Sequence, residues 1–165
     1  MEPTFQELII RLEGIQAMYQ QLLGLAVKKQ KELVKGNLER IDALTKEEEN
    51  LVYQAGRLED ERYQYAGRLI SHLGLKQEAT LKDLIEVAPV IEQGKLQCLQ
   101  ESMSQLIVQM DKLSQENITL IQQSLRFINF TVNMLSKPDD NSTYGAGIEK
   151  NNKQENISRI LDKKV

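Results

Sequence analysis

Apolar residues recur three and four positions apart through most of the first 136 residues, which restricts the chain to helices packed along shared seams. In the first stretch Phe5, Leu8, Leu12, Ile15, Tyr19, Leu22, Ala26 and Leu33 follow the spacing, with Lys29 as the one polar break. The repeat averages about 3.5 residues, as in a left-handed coiled coil. A second stretch continues it with Ile41, Leu44, Leu51, Ala55, Leu58, Tyr65 and Leu69, and places Glu48 and Arg62 on the same face. Polar residues on a seam fix register or reach water along their stems. The third row runs Leu96, Leu99, Met103, Leu106, Met110, Leu113, Asn117, Leu120, Ser124, Phe127, Thr131 and Met134.

The breaks between these rows are equally legible. Thr4 and Glu7 form a T-x-x-E capping box, which satisfies two orphaned backbone donors at a helix start. Gly36 can adopt the left-handed conformation that ends a helix, Asn37 can cap the next, and Gly74 ends that one. Thr80 and Asp83 open a short helix over roughly 80–87. Pro89 stops it by restricting Ala88 and removing an amide donor. The fold expected is all-α, an elongated antiparallel helical bundle or coiled coil of three long helices plus a short one. The long helices fall near 5–35, 38–73 and 90–136, and Pro138 ends the last.

The end of the third row carries more apolar residues than one seam needs. In SLRFINFTVNML, residues 124–135, Leu125, Phe127, Ile128, Phe130, Val132, Met134 and Leu135 cannot all face one neighbour. Ile121, Leu125, Ile128, Val132 and Leu135 make a second stripe. It is either buried between two neighbours or available to an incoming helix, and extended apolar rows of this kind serve helix-in-groove recognition. It is the candidate binding surface.

Residues 138–165 change in character. They are rich in Asn, Asp, Gly, Ser and Lys and hold too few apolar groups for a core, so they read as a flexible tail beside a bundle domain of residues 1–137. A short amphipathic segment puts Ile157, Ile160 and Leu161 on one face, able to dock on a partner or back on the bundle. Tyr144, the tail's one aromatic, is flanked by Gly145 and is a candidate anchor.

Composition and motifs argue against catalysis. The net charge of −3 leaves no footprint for nucleic acid or an anionic membrane, and no apolar run approaches the roughly 20 residues of a membrane span. A single cysteine and an N-terminus without a basic signal-like region point to the cytoplasm. His72, the one histidine, has no evident acid–base partner and is expected at a partly exposed position. Cys98, beside Leu99, is expected to be a buried structural thiol. Two registers of a calcium loop starting at Asp139 or Asp140 fail on Tyr144 and on Lys150 or Asn151. Four N-x-S/T triplets are chance matches in an unsecreted chain. No metal, cofactor or enzymatic activity is expected.

Specific segments resemble a known family. The passage NITLIQQSLRFINFTVNML followed by Tyr144–Gly145–x–Gly147, with NLERIDALTKEEENLV and LEDERYQYAGRL before it, resembles FlgN-type flagellar export chaperones across most of the chain. The resemblance implies a cytosolic helical protein without enzyme activity. Such a protein binds helical C-terminal segments of hook-associated proteins, prevents premature assembly and delivers them to the flagellar type III export apparatus. It also implies that the C-terminal region makes the client contacts. The alternative is a coiled-coil adaptor or scaffold held together as a homo-oligomer through the same surplus face.

Overall fold

The computed structural model describes residues 3–136. Among them are four helices and no strand: α1 (Phe5–Lys35), α2 (Leu38–His72), α3 (Leu81–Val87) and α4 (Val90–Ser136). The expected starts and stops from Thr4 to Pro89 hold, each for a visible local reason. Gly36 sits at φ 70°, and the Asn37 amide donates back to the Glu32 carbonyl at 3.1 Å, while the Asn37 side chain accepts from the Arg40 amide. Gly74 repeats the device at φ 66°, with the Leu75 amide donating to the Ile70 carbonyl. Thr80 and Asp83 close a reciprocal capping box. The Thr80 amide donates to Asp83 Oδ2 at 2.6 Å, and the Asp83 amide donates to Thr80 Oγ1 at 3.4 Å. These bonds, the backbone one foremost, hold the Asp83 carboxyl below its ordinary range.

The box expected at Thr4 forms only one arm. Thr4 Oγ1 accepts from the Glu7 amide, but the Thr4 amide donates to the Tyr65 hydroxyl at 2.8 Å, and the Glu7 carboxylate pairs with Arg11 instead. A tertiary partner on α2 thus replaces the local one. The Tyr65 ring lies under the Arg11 guanidinium, 4.1 Å from its centroid, so the start of α1 is pinned to α2 by both hydroxyl and ring.

Cross-helix pairs give the directions. Along α1, Thr4, Tyr19 and Lys29 meet Tyr65, Glu59 and Glu48 of α2, so the two helices are antiparallel. Gln16 bonds Ser102, and Gln30 bonds Glu116, so α4 runs parallel to α1 and antiparallel to α2. The polar seam residues find one another. Lys29 pairs with Glu48 across the seam, while Arg62 pairs with Glu59, which also accepts from the Tyr19 hydroxyl. Burial foremost, and then that bond to a carboxylate, push the Tyr19 hydroxyl up to about 12.

The densest core lies where all four helices meet. Leu8, Ile9 and Leu12 pack with Tyr65, Leu69 and Ile70, closed by Leu84 and Ile85 of α3 and Leu96 and Leu99 of α4. Ile9, Leu25 and Ile70 are buried although they lie off the seams, because a helix flanked by two neighbours buries a wider stripe than a two-stranded coil does. The chain divides after Ile128 into two units; of the second, the described part is residues 129–136, the final turns of α4. Pro138, the boundary expected near 137 and the whole of the tail lie outside the described residues.

Candidate functional site

The register of α4 against α1 decides where its apolar surface is covered. Gln16 and Ser102 are 86 residues apart, and so are Gln30 and Glu116. On that register Lys35, the last residue of α1, comes level with Ile121. Beyond this point α1 has no residues left to set against α4, and α2 has only just begun on the other side of the Gly36 turn. Burial changes at the same place. Leu113 and Asn117 are buried, Leu120 is half-buried, and every residue from 121 to 130 is exposed.

Ile121, Leu125 and Ile128 therefore stand open on one face of α4, Leu125 with 54% of its surface exposed. In the second unit Val132 and Leu135 are exposed as well, Leu135 to 82%. Phe127, a member of the first row, is exposed as well, and in the second unit so are Phe130 and Met134. Residues 121–130 thus do not show the burial of a helix end packed between two neighbours among the described residues. Periodicity marks the rows, but only the difference in helix length, 47 residues against 31, tells where α1 ends alongside α4. Ile118, exposed and one turn before Ile121, extends the surface and was not singled out by pattern.

The chemistry of this surface is that of burial. Arg126 is the one charged residue between 117 and 136; amides and hydroxyls separate the apolar side chains. Depletion of charge within a patch of large aliphatic and aromatic groups is the composition of an interface core. Covering one such Leu or Ile is worth roughly 1.5–3 kcal/mol.

The other candidates separate cleanly. His72 is exposed at the end of α2. Cys98 is exposed, contrary to expectation, because it lies about 100° around the helix from its buried neighbour Leu99. Among the described residues no group of three or more His, Cys, Asp or Glu could hold a metal ion, and no helix is long and apolar enough to cross a membrane. Tyr144, Ile157, Ile160 and Leu161 lie outside the described residues.

Comparison with known proteins places the chain in a family. A family model described as FlgN protein matches residues 1–152. An uncharacterized protein of Bacillus subtilis (strain 168), YvyG, is 23% identical over 158 residues, covering 96% of this chain and 97% of its own length. No solved structure gives a significant match.

Proposed function

The chain belongs to the FlgN protein family, chaperones of flagellar assembly, and on that premise we propose that it guards the helical C-terminal segments of flagellar hook-associated proteins before export. In this reading the exposed face of α4 covers the client's apolar stripe, prevents premature assembly in the cytoplasm and presents the client to the flagellar type III export apparatus. The observation that supports it is the set of large apolar side chains on α4 beyond the reach of α1, with Ile121, Leu125 and Ile128 on one face. Val132 and Leu135, in the second unit, are proposed as client contacts as well. Tyr144, Ile157, Ile160 and Leu161 are proposed as tail contacts to client or export machinery. The activity is binding alone and requires no cofactor.

Co-expression with hook-associated proteins and size-exclusion chromatography tests the proposal. A defined complex is expected with the wild-type chain, and its loss with the double variant Leu125→Asp/Ile128→Asp. Because both residues are exposed, circular dichroism should show helicity retained. A second copy of the chain could occupy the same face. A chain that self-associates through it and forms no complex with any hook-associated protein would support a scaffold and overturn the chaperone reading.

A further inference from the structure

Between α2 and α4 the surface opens into a cleft of about 200 Å³ that has α1 as its floor. Val52 of α2 lines one wall, Ile118 and Ile121 of α4 line the other, and Leu22 of α1 lies beneath. All three wall residues are exposed, so the cleft faces solvent. Heptad spacing carries both walls beyond it. On α4, Ile107, Ser114, Ile121 and Ile128 fall seven apart, beside Ile118 and Leu125. On α2, Leu38, Thr45 and Val52 do the same, and Leu38 and Val52 are both more than half exposed. Residues seven apart share a helix face, so the two rows flank one groove about 30 Å long. The Lys29–Glu48 and Gln30–Glu116 pairs set their register: Val52 comes level with Asp111, and Leu38 close to the level of Leu125. Exposed carboxylates stand on both rims, Glu49 one turn before Val52 and Asp111 one turn after Ile107. Neither joins an ion pair among the described residues. Lys46, the cation nearest to Glu49 in sequence, is held by Asp42 at 2.7 Å, and Lys112 lies about 100° further around α4 from the groove. Inside the cleft the Lys29–Glu48 pair neutralises itself.

From this geometry we propose that the client helix lies in the groove between α2 and α4 as a fourth long helix, with Leu38 and Val52 of α2 sharing the contact, and that its apolar stripe is flanked by Lys or Arg. Length and charge select this occupant. The groove runs about three heptads, whereas the tail's apolar segment, residues 157–161, would span only about 8 Å even as a helix and leave most of the groove open. A second copy docked by a two-fold axis sets the same patch against itself, which brings acidic rim to acidic rim. A client helix with basic flanks meets both rims with opposite charge, and such pairing sets register and encounter rate more than affinity. This inference rests on the chaperone reading above and adds where on the chain the client lies and what its flanks carry.

Variants on α2 separate the two. The probe is a synthetic peptide of the C-terminal helical segment of the co-expressed hook-associated protein, titrated by calorimetry against the full chain. Leu38→Ser/Val52→Ser should weaken binding about tenfold, and Val52→Ser alone about threefold. Val108→Ser, exposed about 100° around α4 from Ile107, should leave binding within about twofold of wild type. Because all these side chains are exposed, circular dichroism should show helicity retained. Glu49→Gln/Asp111→Asn should weaken binding about threefold at low ionic strength and flatten its salt dependence. Equal or tighter binding by that pair would remove the basic flanks, and with them the chosen occupant. If Leu38→Ser/Val52→Ser binds as wild type while Leu125→Asp/Ile128→Asp still abolishes binding, the client lies on α4 alone. The groove proposal then falls and the chaperone reading stands. Tighter binding by Leu38→Ser/Val52→Ser would put the chain's own tail in the groove, and a dimer lost in that variant with peptide affinity unchanged would put a second copy there; either result overturns the proposal. If the double aspartate variant binds normally, the docking face itself is wrong.

Discussion

Leu96 and Leu125 are both leucines on α4, less than thirty residues apart on one helix, yet the first is fully buried and the second more than half exposed. Leu96 lies in a core to which α1, α2 and α3 all contribute, whereas Leu125 lies past the last residue of α1. The same residue type, in the same secondary structure, thus serves stability at one end and is free to serve recognition at the other. What divides the two roles is which neighbours the register supplies, since both sites satisfy the helical spacing equally well.

The widest gap in that comparison should appear on truncation to alanine. Leu96→Ala removes a packed side chain and is expected to cost about 2–5 kcal/mol, while Leu125→Ala should stay within about 0.5 kcal/mol. Denaturant unfolding measures both, and comparable losses at the two positions would erase the distinction. A smaller effect is expected at Thr80, whose side chain caps α3 beneath the core. Thr80→Ala should lower stability by about 1 kcal/mol and leave client binding unchanged, because the cap belongs to the buried end alone. The smallest effect concerns Asp83 and acid. Its folded value is depressed, so its contribution is present above the unfolded value of about 3.9 and disappears as pH falls through the folded one. The stability difference between wild type and Asp83→Asn should therefore shrink in that acid range, as followed by thermal unfolding. Client affinity of the two proteins should stay equal at neutral pH.

Helix ends and seams were readable because local chemistry alone determines them. Gly36, Asn37, Thr80 and Pro89 each act through their own backbone or their nearest neighbours, and each does so at the expected place. Where a distant residue competes, the pattern misleads. The Thr4 amide prefers the Tyr65 hydroxyl to the Glu7 carboxylate three positions along the same helix start, and no local rule contains Tyr65. Phe127 and Met134 show the same limit on a larger scale. Their spacing continues the row of Leu113 and Leu120 without a break, but spacing carries no information about where the partner helix ends. Asn117 was visible as a polar member of the seam. Its buried oxygen, left without a hydrogen-bond partner among the described residues, was not, because that depends on the Ala26 carbonyl taking the amide's donor side.

The left-handed glycine at position 36 also has the role of a ruler. It sets how far along α4 the hairpin extends, and hence where coverage gives way to exposure. Inserting seven residues into each arm of the hairpin would advance the turn by about 10 Å and clothe α4 as far as Ile128. Deleting seven from each would instead uncover Asn117 and Leu120. The area open to a client is therefore a difference between two chain lengths. Paired insertions or deletions near a turn remote in sequence could retune it across relatives, with no substitution on the recognition face itself.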